Sequence, residues 1–405
     1  MTSRPLRFLM VTTFYPPYNF GGDGIFVRRL SRELARRGHH VEIVHCADAH
    51  RLVGGAPVVA EAERDEGLIV HTLKSPFGPL SPLATQQTGL PLFKISALHG
   101  IFERGFDVIH FHNISLVGGP GILALGRAVK LYTFHEYWLL CQNHILFRDR
   151  RAPCFQPRCF ACNLHYWRPP QWWRATRLLE QSLRHVDQFL AASRFTMELH
   201  RRKWPWLPMV HHPHFVSDLH APSDVTTQEP ADPYFLCVSR LERLKGLHTV
   251  IPLFQRWDKA RLLIAGQGDD ERELRQLAGD NPRIRFLGFR SESELSALYR
   301  KAVALIVPSL CFEISPLVII ESLAQGTPII GRNLGSIPEL IAESGGGLVY
   351  DSESDLLAAM ERLLADRAQR DRLGNAGQQA GNNLWSADAH LDRYLSIVER
   401  MRPHL

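Results

Sequence analysis

The chain has 405 residues, of which 45% are hydrophobic and 22% are charged, and its formal net charge is +6. This length is enough for two or three domains, each with a full core. No apolar run reaches the roughly 18 residues of a membrane-spanning helix, and we find no low-complexity segment and no internal repeat. Fibrous, repeat and integral-membrane classes are therefore disfavoured.

The N-terminal stretch "MTSRPLRFLMVTTFYPP" carries a short apolar run that leads directly into a turn. It lacks a small-residue cleavage site, so we interpret it as a first β-strand and not as a signal peptide. The seven cysteines are then expected in a reducing cytoplasm and not in disulfides. We expect a cytoplasmic protein, with peripheral contact to the inner face of the membrane as an open alternative.

The charge is unevenly distributed along the chain. Residues 1–225 carry a balance of +9 and residues 226–405 a balance of −3, and 17 of the 20 histidines lie in the first part. A basic half can face an anionic partner such as a membrane surface, a lipid phosphate or a nucleic acid. A solvated basic surface explains the same numbers equally well.

The first half begins with a strand, a helix and a second strand, which predicts a βαβ unit and a parallel sheet. In chain order these are "RFLMVTTF", "IFVRRLSRELARRG", which Gly38 ends, and "HHVEIVHC". Further strands are predicted at "FDVIHFHN" and "KLYTFHE". Residues 169–200 have a helical pattern.

A polar, proline-bearing stretch at 218–233 predicts an interdomain connection. The alternation of strands and helices then restarts, with strands at "YFLCVSR", "RLLIAGQG", "IRFLGF", "VALIVPS", "TPIIGR" and "GGLVY". Residues 353–380 and 386–402 read as helices. We therefore predict one α/β domain at 1–217 with a cysteine-rich insert at 141–165, a second at 234–385, and a C-terminal helix within 386–405.

Two α/β domains of this kind bind ligands at the carboxyl ends of their strands, and the motifs lie there. "GGDG", with Gly21 and Gly22, follows a strand and opens a helix, which suits a phosphate, although a tight turn explains it as well. Arg240 and Lys245 follow the first strand of the second domain. Two cations at a strand end suit a pyrophosphate, and two solvated surface cations remain the alternative.

The run "PSLCFEISPLVIIESLAQGTPII" at 308–330 carries two glutamates in an otherwise apolar setting. Ser315 is a good N-cap and Pro316 a good first residue for a helix that Gly326 ends. Glu313 then lies in the loop before the helix and Glu321 on its outer face. The amides around Leu317 and Val318 would form an anion site that the two carboxylates flank. A nucleotide-sugar, with a diphosphate between hydroxyl-bearing groups, fits this pattern.

The same run resembles the E-x7-E signature of retaining glycosyltransferases of family 4, which have the GT-B fold. Other matching motifs cover nearly the whole chain: "FYPPYNFGGDG", "LSRELARRGHHV", "DVIHFHN", "TFHEYW", "AASRF", "VSRLERLKG", "IAGQGDD" and "FLGF". The resemblance implies two Rossmann-like domains that face each other across a cleft, with a C-terminal helix that returns to the N-terminal domain. Ile314 replaces the glycine of many members, which leaves the sugar specificity open.

The resemblance also implies roles for individual residues. Glu313 would hold hydroxyls of the donor sugar and Glu321 the ribose, while Arg240 and Lys245 would neutralise the leaving diphosphate. The remaining implied contacts are His135 near the reacting carbon, Gly22 at the diphosphate, Gly266, Gly268 and Phe289 at the nucleotide, and Ser315, Pro316 and Leu317 at the helix start. The alternative for His135 is a structural histidine at a strand end, while structural roles are favoured for His110 and His112.

The family's expected reaction is a front-face retaining transfer from a UDP-, GDP- or ADP-sugar to a glycan or lipid-linked saccharide of the cell envelope. Charge separation in this reaction is stabilised by preorganised cations and amides. No Asp-x-Asp motif follows a strand, so no catalytic metal is expected, and nucleic acid is not an expected partner. A non-catalytic nucleotide-sugar- or glycan-binding subunit and a GT-B epimerase are the alternatives.

The segment 141–165 is the one least explained by sugar transfer. Cys141, Cys154, Cys159 and Cys162 have the spacing C-x12-C-x4-C-x2-C, and four thiolates form a closed tetrahedral zinc site. A short, basic insert with little core of its own would gain stability from such a metal. We therefore predict a structural zinc, with free thiols, disulfides and an iron–sulfur cluster as alternatives.

Overall fold

The computed structural model describes residues 4–55, 65–216 and 232–401. The predicted interdomain connection at 218–233 lies almost entirely outside these described residues. The chain forms two compact units. The first comprises Met1–Ile145 with Arg158–His212 and His390–Leu405, and the second comprises Leu146–Pro157 with Pro213–Ala389.

The strands are, in chain order, β1 Arg7–Val11, β2 His40–Cys46, β3 Leu68–Leu73, β4 Val108–Phe111, β5 Val129–Phe134, β6 Phe147–Arg148, β7 Ala152–Pro153, β8 Gln188–Ala191, β9 Met209–His211, β10 Tyr234–Val238, β11 Arg261–Ala265, β12 Ile284–Gly288, β13 Ala304–Val307, β14 Ile329–Arg332 and β15 Gly347–Tyr350.

The α-helices are α1 Gly22–Arg36, α2 Ala47–Leu52, α3 Leu80–Thr88, α4 Ile95–Phe102, α5 Cys159–His165, α6 Leu178–Leu183, α7 Arg194–Lys203, α8 Leu247–Arg256, α9 Glu271–Ala278, α10 Glu292–Lys301, α11 Leu317–Ala324, α12 Ile337–Ser344, α13 Glu353–Ala365, α14 Arg367–Leu384 and α15 Ala387–Met401. Short 3₁₀ turns lie at Leu92–Lys94, Pro120–Ala124, Trp172–Ala175 and Arg243–Lys245. None of the helices in the described part of the chain combines the length and the apolarity that crossing a membrane requires.

The first unit contains a seven-stranded parallel sheet with the order β3-β2-β1-β4-β5-β8-β9. The predicted strands β1, β2, β4 and β5 are all present. The prediction of a continuous helical region at 169–200 is wrong, because β8 interrupts it. Its residues "QFLA" form a short run that is buried beside β5, and a buried strand of four residues is too short to show an alternating pattern.

The second unit contains a six-stranded parallel sheet with the order β12-β11-β10-β13-β14-β15. Successive residues of β10 enter opposite layers of the core, since Phe235 and Cys237 join one buried cluster while Tyr234 and Leu236 join another. This alternation is expected for a strand with helices on both faces. The two apolar layers fix the sheet, and its carboxyl edge then presents the loops that carry the motifs.

Two segments belong to a unit different from that of their sequence neighbours. Residues 146–157, which the sequence assigns with the rest of the insert to the first domain, group with the second unit, where Phe155 lies edge-on against Phe312 at 5.3 Å between ring centroids. The helix α15 packs with the first unit from His390 onward. Its Tyr394 hydroxyl lies 3.0 Å from His110 Nδ1, deep in that core.

Candidate functional site

Glu313 lies in the loop between β13 and α11, where two neighbours hold its carboxylate. Lys245 Nζ donates to Glu313 Oε1 at 2.7 Å, and Ser309 Oγ donates to the same oxygen at 2.6 Å. The side chains of Glu313 and Lys245 are only 13% and 20% exposed, so the ion pair is largely shielded from water. A shielded pair is tolerated when further hydrogen bonds complete it, and Ser309 supplies one.

The two charges stabilise each other against burial. Burial acts to raise the pKa of Glu313, but the charge and hydrogen bond of Lys245, the Ser309 hydroxyl and the charge of Arg240 together lower that pKa below its ordinary value. Burial acts to lower the pKa of Lys245, and the Glu313 carboxylate reverses this and raises it. The pair therefore stays ionised around neutral pH, a direct bond that the sequence pattern did not reveal.

Arg240 is the second cation at this edge of the sheet, in the loop that follows β10. Its Nη1 lies 2.8 Å from Glu242 Oε1, and its side chain is half exposed. Its charge acts on both Glu313 and Lys245. The structure thus brings together the two cations and the carboxylate that the sequence analysis selected.

Glycines allow the loops at the ends of neighbouring strands to approach one another. Gly266 follows β11 with φ +132°, and a side chain there would overlap the carbonyl of Ser239 at the end of β10. Gly335 has φ +65°, and a Cβ on it would lie 2.8 Å from the amide nitrogen of Glu313. Only glycine combines such φ values with this lack of space. Gly268, in the Gly266 loop, likewise packs against the backbone of Leu241.

The start of α11 differs from its predicted form. The helix begins at Leu317, and Pro316 takes the N-cap position with ψ +113°. Ser315, predicted as the N-cap, makes no cap hydrogen bond, and its Oγ is buried without a partner among the described residues. The amides of Leu317 and Val318 are in the first turn, where N–H groups have no intrahelical acceptor. A helix start capable of anion binding is therefore retained, although its cap is not the predicted one.

Glu321 and Phe289 occupy the margins of this edge. Glu321 lies one turn into α11, with Tyr299 donating its hydroxyl to Glu321 Oε2 at 3.4 Å. Phe289 directly follows β12, and its side chain is 72% exposed. An exposed ring next to a strand end is available for stacking on a planar group.

In the first unit, the predicted residues lie at the carboxyl ends of β1 and β5. Gly21 takes the N-cap position of α1 in extended conformation, and Gly22 is the first residue of the helix. His135 follows β5, and its Nε2 lies 2.9 Å from Nδ1 of the buried His112, which follows β4. Phe26 of α1 packs against the His135 ring at 5.1 Å between centroids.

Further histidines extend behind His135 into the core. His110 Nε2 lies 2.8 Å from Thr133 Oγ1, and the His110 and His112 rings are 4.0 Å apart. Burial, followed by the nearby histidines, lowers the pKa of His110 far below its ordinary value. His212 and His390 form a second imidazole contact at 3.1 Å. The burial of His110 and His112 and their contacts with neighbouring side chains support the structural roles expected for them.

Two acidic or polar neighbours of His135 were not selected by the sequence analysis. Glu136 accepts a hydrogen bond from Asn113 Nδ2 at 3.2 Å, and His144 Nδ1 lies 2.6 Å from the same Glu136 oxygen. The signal was available, because "HFHN" and "TFHE" end two predicted neighbouring strands. The structure pairs Phe111 with Tyr132, so the contacts of His112 with His135 and of Asn113 with Glu136 join residues that are offset by two positions along the two strands. Ser309 gave no comparable signal.

The predicted cysteine ligands differ in environment. Cys162 is buried, Cys141 and Cys154 are half-buried and Cys159 is exposed. Burial, followed by the nearby Cys141, raises the pKa of the Cys159 thiol. Within the described part of the first unit, the sulfur atoms of Cys141, Cys159 and Cys162 do not form a set within 4.8 Å of one another. The zinc site therefore stays a prediction.

Two family models match the chain and together cover most of it. A model described as "Glycosyltransferase Family 4" matches residues 20–216, and one described as "Glycosyl transferases group 1" matches residues 223–380. The boundary between the two matches falls near the predicted connection between domains.

Among curated proteins, the chain is similar to the lipopolysaccharide core biosynthesis glycosyltransferase LpsE of Rhizobium meliloti. The two are 30% identical over 175 residues, which is 42% of this chain and 51% of LpsE. The alignment thus spans about half the length of that relative.

Solved structures match over nearly the full length. Sucrose-phosphate synthase from Thermosynechococcus elongatus has a TM-score of 0.71 and 20% identity, covering 99% of this chain and all of its own. The Anabaena protein HepE, in complex with UDP and glucose, has a TM-score of 0.69 and 17% identity, covering 98% of this chain and all of its own. These similarities, with the two parallel sheets, confirm the predicted GT-B fold.

Proposed function

Since the chain belongs to the family 4 glycosyltransferases, we propose that it is a retaining enzyme which transfers a sugar from a nucleoside diphosphate sugar to a saccharide or lipid-linked acceptor. The observation that carries the proposal is the shielded contact of Lys245 and Ser309 with Glu313, beside Arg240 and the start of α11. Envelope or exopolysaccharide synthesis is the proposed setting, which agrees with the role named for LpsE.

The arrangement in the second unit suits the donor. Breaking a sugar–phosphate bond leaves negative charge on the diphosphate, and Arg240, Lys245 and the amides of the α11 start are cationic or partly positive groups at one sheet edge. Glu313 offers the sugar hydroxyls a carboxylate acceptor, and its Lys245 contact keeps it ionised. The neighbour HepE, solved with UDP and glucose, supports this class of donor.

In the proposed reaction, positive charge develops on the donor sugar while the diphosphate departs. Glu313 is a fixed anion at a loop of this edge, and Lys245 is a fixed cation 2.7 Å from it. Such a preorganised pair stabilises separated charge without reorganising during the reaction. Glu321 would hold the ribose, and the exposed Phe289 the base. His135, in the first unit, would contact the sugar near the reacting carbon.

The first experiment is a thermal-shift screen with UDP-, GDP- and ADP-sugars, because a ligand that binds the folded state raises its stability by mass action. We expect one nucleotide class to stabilise the protein and to support transfer to a saccharide acceptor with retention of the anomeric configuration. Binding without transfer would instead favour a non-catalytic subunit, and conversion of the donor sugar without acceptor would favour an epimerase. Failure of every nucleotide-sugar to bind would refute the proposal.

A second part of the proposal concerns where the acceptor lies. An aromatic surface, defined as Phe160, Leu164, Trp167 and Trp172, is exposed on the first unit, with Trp167 at 88% and Trp172 at 68% exposure. Phe160 and Leu164 share one face of α5, and the Phe160 ring lies 6.3 Å from that of Trp172. The neighbouring Trp173 is instead buried and donates its Nε1–H to the carbonyl of Gln86 on α3 at 2.8 Å.

More exposed apolar residues surround α3. Phe77 and Phe93 are 54% and 50% exposed, with ring centroids 4.5 Å apart, and Leu80 and Leu92 are exposed as well. Contiguous apolar surface of this kind marks an interaction site, and tryptophan with flanking arginine is typical of the bilayer interface. Given the basic first half, we propose an anionic lipid surface as the occupant. This would place the enzyme at the cytoplasmic face, where its thiols stay reduced.

Flotation with phosphatidylcholine vesicles, alone or mixed with phosphatidylglycerol, tests this surface. We expect binding to the anionic vesicles, weakened by salt and lost in the double variant Trp167→Ala/Trp172→Ala. Leu277→Ala, which removes an exposed side chain from the second unit, is the matched control and should bind normally. Equal binding to both vesicle types, or dimerisation that the tryptophan variant abolishes, would contradict a lipid occupant.

We also propose that Cys141, Cys154, Cys159 and Cys162 hold a structural zinc ion, which would supply stability to the insert and no chemical step. The purified protein should then contain about one zinc ion per chain. A cysteine of the core, Cys237, provides the control, because Cys237→Ser should leave the metal content unchanged while Cys162→Ser lowers it. Four titratable thiols in metal-free protein that is fully active with a strong chelator would contradict the zinc.

A further inference from the structure

Two neighbouring strand ends in the first unit are joined by a pair of side-chain contacts. His112 and Asn113 follow β4, and His135 and Glu136 follow the adjacent parallel strand β5. His112 Nδ1 lies 2.9 Å from His135 Nε2, and Asn113 Nδ2 donates to Glu136 Oε2 at 3.2 Å. His135 is therefore held directly by His112, and the residue that follows it, Glu136, is held by Asn113.

The orientation of the Asn113 amide is fixed by its surroundings. Its Oδ1 accepts hydrogen bonds from the hydroxyl of Ser115 at 2.8 Å and from the Ser115 amide at 3.3 Å. The Nδ2 group must then face the two carboxylates, because an ionised carboxylate accepts hydrogen bonds and cannot donate them. It contacts Asp23 Oδ2 at 3.4 Å as well as Glu136. One amide thus connects the first turn of α1 with the end of β5.

The insert adds a third contact to this group. His144 Nδ1 lies 2.6 Å from Glu136 Oε2, the oxygen that Asn113 also contacts. The side chains of His144 and Glu136 are 20% and 17% exposed, so water only weakly competes for this bond. Hydrogen bonds to an ionised carboxylate are among the stronger ones in proteins.

The backbone of His144 is held in an unusual form to make this contact. Its φ is +74°, which is uncommon for a residue other than glycine. Its carbonyl accepts from the Tyr137 amide at 2.8 Å, and its own amide donates to the Cys141 carbonyl at 3.1 Å. The segment that follows Glu136 therefore turns back on itself and returns an imidazole to that carboxylate.

We propose that His144 is a positioning residue of the transfer reaction: it fixes Glu136, and through Glu136 and Asn113 it holds His135 and the first turn of α1 in their active arrangement. The inference rests on the proposed function. It connects the cysteine-rich insert, through Glu136, to the predicted catalytic histidine that precedes Glu136 in the chain.

Three substitutions separate the side-chain bond from the strained backbone. His144→Gly removes the imidazole while glycine accepts the left-handed φ without strain. His144→Asn keeps a donor near the position of Nδ1, and asparagine tolerates the same φ. His99→Gln is the control, because His99 and Glu103 form an exposed histidine–glutamate pair in the same unit, 3.9 Å apart.

The first readout is independent of catalysis. Amide hydrogen exchange is measured at residues 19–24 and 133–136, which lie outside the insert at 141–165. His144→Gly should speed exchange in both segments, while His144→Asn and His99→Gln should match wild type. A role limited to the insert would change exchange only at 137–165, and that result would overturn the proposal.

The second readout is the split between kcat and KM. For His144→Gly and Glu136→Gln we expect kcat to fall about tenfold or more while donor KM rises by a smaller factor, because Gly21 and Gly22 are the implied donor contacts of the first unit and those of the second unit are untouched. His144→Asn should recover most of the lost kcat. Wild-type kcat in His144→Gly would overturn the inference. Wild-type protein that transfers no sugar at all would instead refute the proposed function, and the exchange experiment would still decide the coupling.

Discussion

The carboxyl edges of the two sheets carry different kinds of polar side chains. In the second unit, the edge carries fixed ions: Lys245 and Glu313 lie 2.7 Å apart, with Arg240 nearby. In the first unit, histidine rings lie behind His135, and burial holds the pKa of His110 far below its ordinary value. The difference is that the second edge holds its charges as a close ion pair, whereas the first places hydrogen-bonded histidine rings beneath its loops.

Removing the anion of the charged edge should have the largest effect. Glu313→Gln leaves the loop and the Ser309 contact in place but removes the negative charge beside the sugar. We expect transfer to fall at least about a hundredfold, in the range seen for lost electrostatic stabilisation in active sites. Glu353→Gln, which alters an exposed pair with Arg256, is the control. Activity within about threefold of wild type, about 1 kcal/mol or less, would contradict a catalytic role.

Removing the cation of the same edge should weaken nucleotide binding next. Lys245→Ala leaves Glu313 shielded and without its counter-ion, so binding of a diphosphate should weaken by about 1.4–3 kcal/mol, or about ten- to a hundredfold. Lys259 contacts Glu361 at a similar 2.6 Å, but in an exposed pair, so Lys259→Ala should change nothing. Calorimetry with UDP, GDP and ADP measures both, and unchanged affinity in Lys245→Ala would remove the diphosphate site from this position.

Acid should lower the stability of the first unit more than that of the second. Burial lowers the pKa of His45 and of His200 to about 4 in the first unit, and His39, His50 and His110 are lowered as well. Below pH 6.5 these histidines bind protons in the unfolded chain but stay unprotonated in the folded protein. Their contribution to the free energy of unfolding is therefore fully present above pH 6.5 and is lost as the pH falls towards 4. Among the described residues of the second unit, the histidines with a lowered pKa are His214 and His248.

Hydrogen-exchange protection factors at pH 7 and pH 5 measure this difference. We expect protection in the first sheet to drop by about 1 kcal/mol or more per pH unit below 6.5, with a smaller drop in the second sheet. Carboxylates with lowered pKa values, including Glu313, begin to contribute only below about pH 4.5. Equal losses in both sheets between pH 6.5 and 5 would show that buried histidines do not set the difference.

The smallest expected effect sharpens the account of the ion pair. Ser309→Ala removes the 2.6 Å hydrogen bond to Glu313, worth about 1 kcal/mol. Because this bond lowers the pKa of Glu313, its loss should raise that pKa and move the acidic limb of the pH–rate profile upward. Ser291→Ala, at an exposed helix cap, is the control. An unmoved acidic limb would mean that the Ser309 hydrogen bond does not set the pKa of Glu313.

Much of the fold could be predicted because local pattern and tertiary role agree. Strands such as β1 and β13 are apolar, short and followed by turn residues, so both their type and their strand-end motifs were readable. The strand β8 was missed because its four residues, of which three are apolar and buried, are too few to show a period. The N-cap prediction for Ser315 was wrong because the Ser315 side chain is buried, and Pro316 takes the N-cap position of α11.

The sequence analysis selected residues of the candidate site but did not predict the bonds between them. Glu313 and Lys245 were selected separately from their motifs, yet they lie 68 positions apart in the chain, and only the sheet order shows that they meet. The contact of His144 with Glu136 depends on a left-handed backbone at a non-glycine residue. Sequence propensities argue against that conformation, so the coupling emerges only from the three-dimensional structure.

The chain path of α15 has a consequence for biosynthesis. His390 and Tyr394 complete the buried imidazole group of the first unit, but they are translated only after all the strands of the second unit. Domains generally fold in order as the ribosome delivers them. The first unit therefore cannot complete its core until the second unit has been synthesised, and the surface around His110 and His212 stays uncovered until then. During this interval a nascent chain would present apolar surface to chaperones, and early termination before residue 390 would leave an aggregation-prone product even though the whole first sheet had been made.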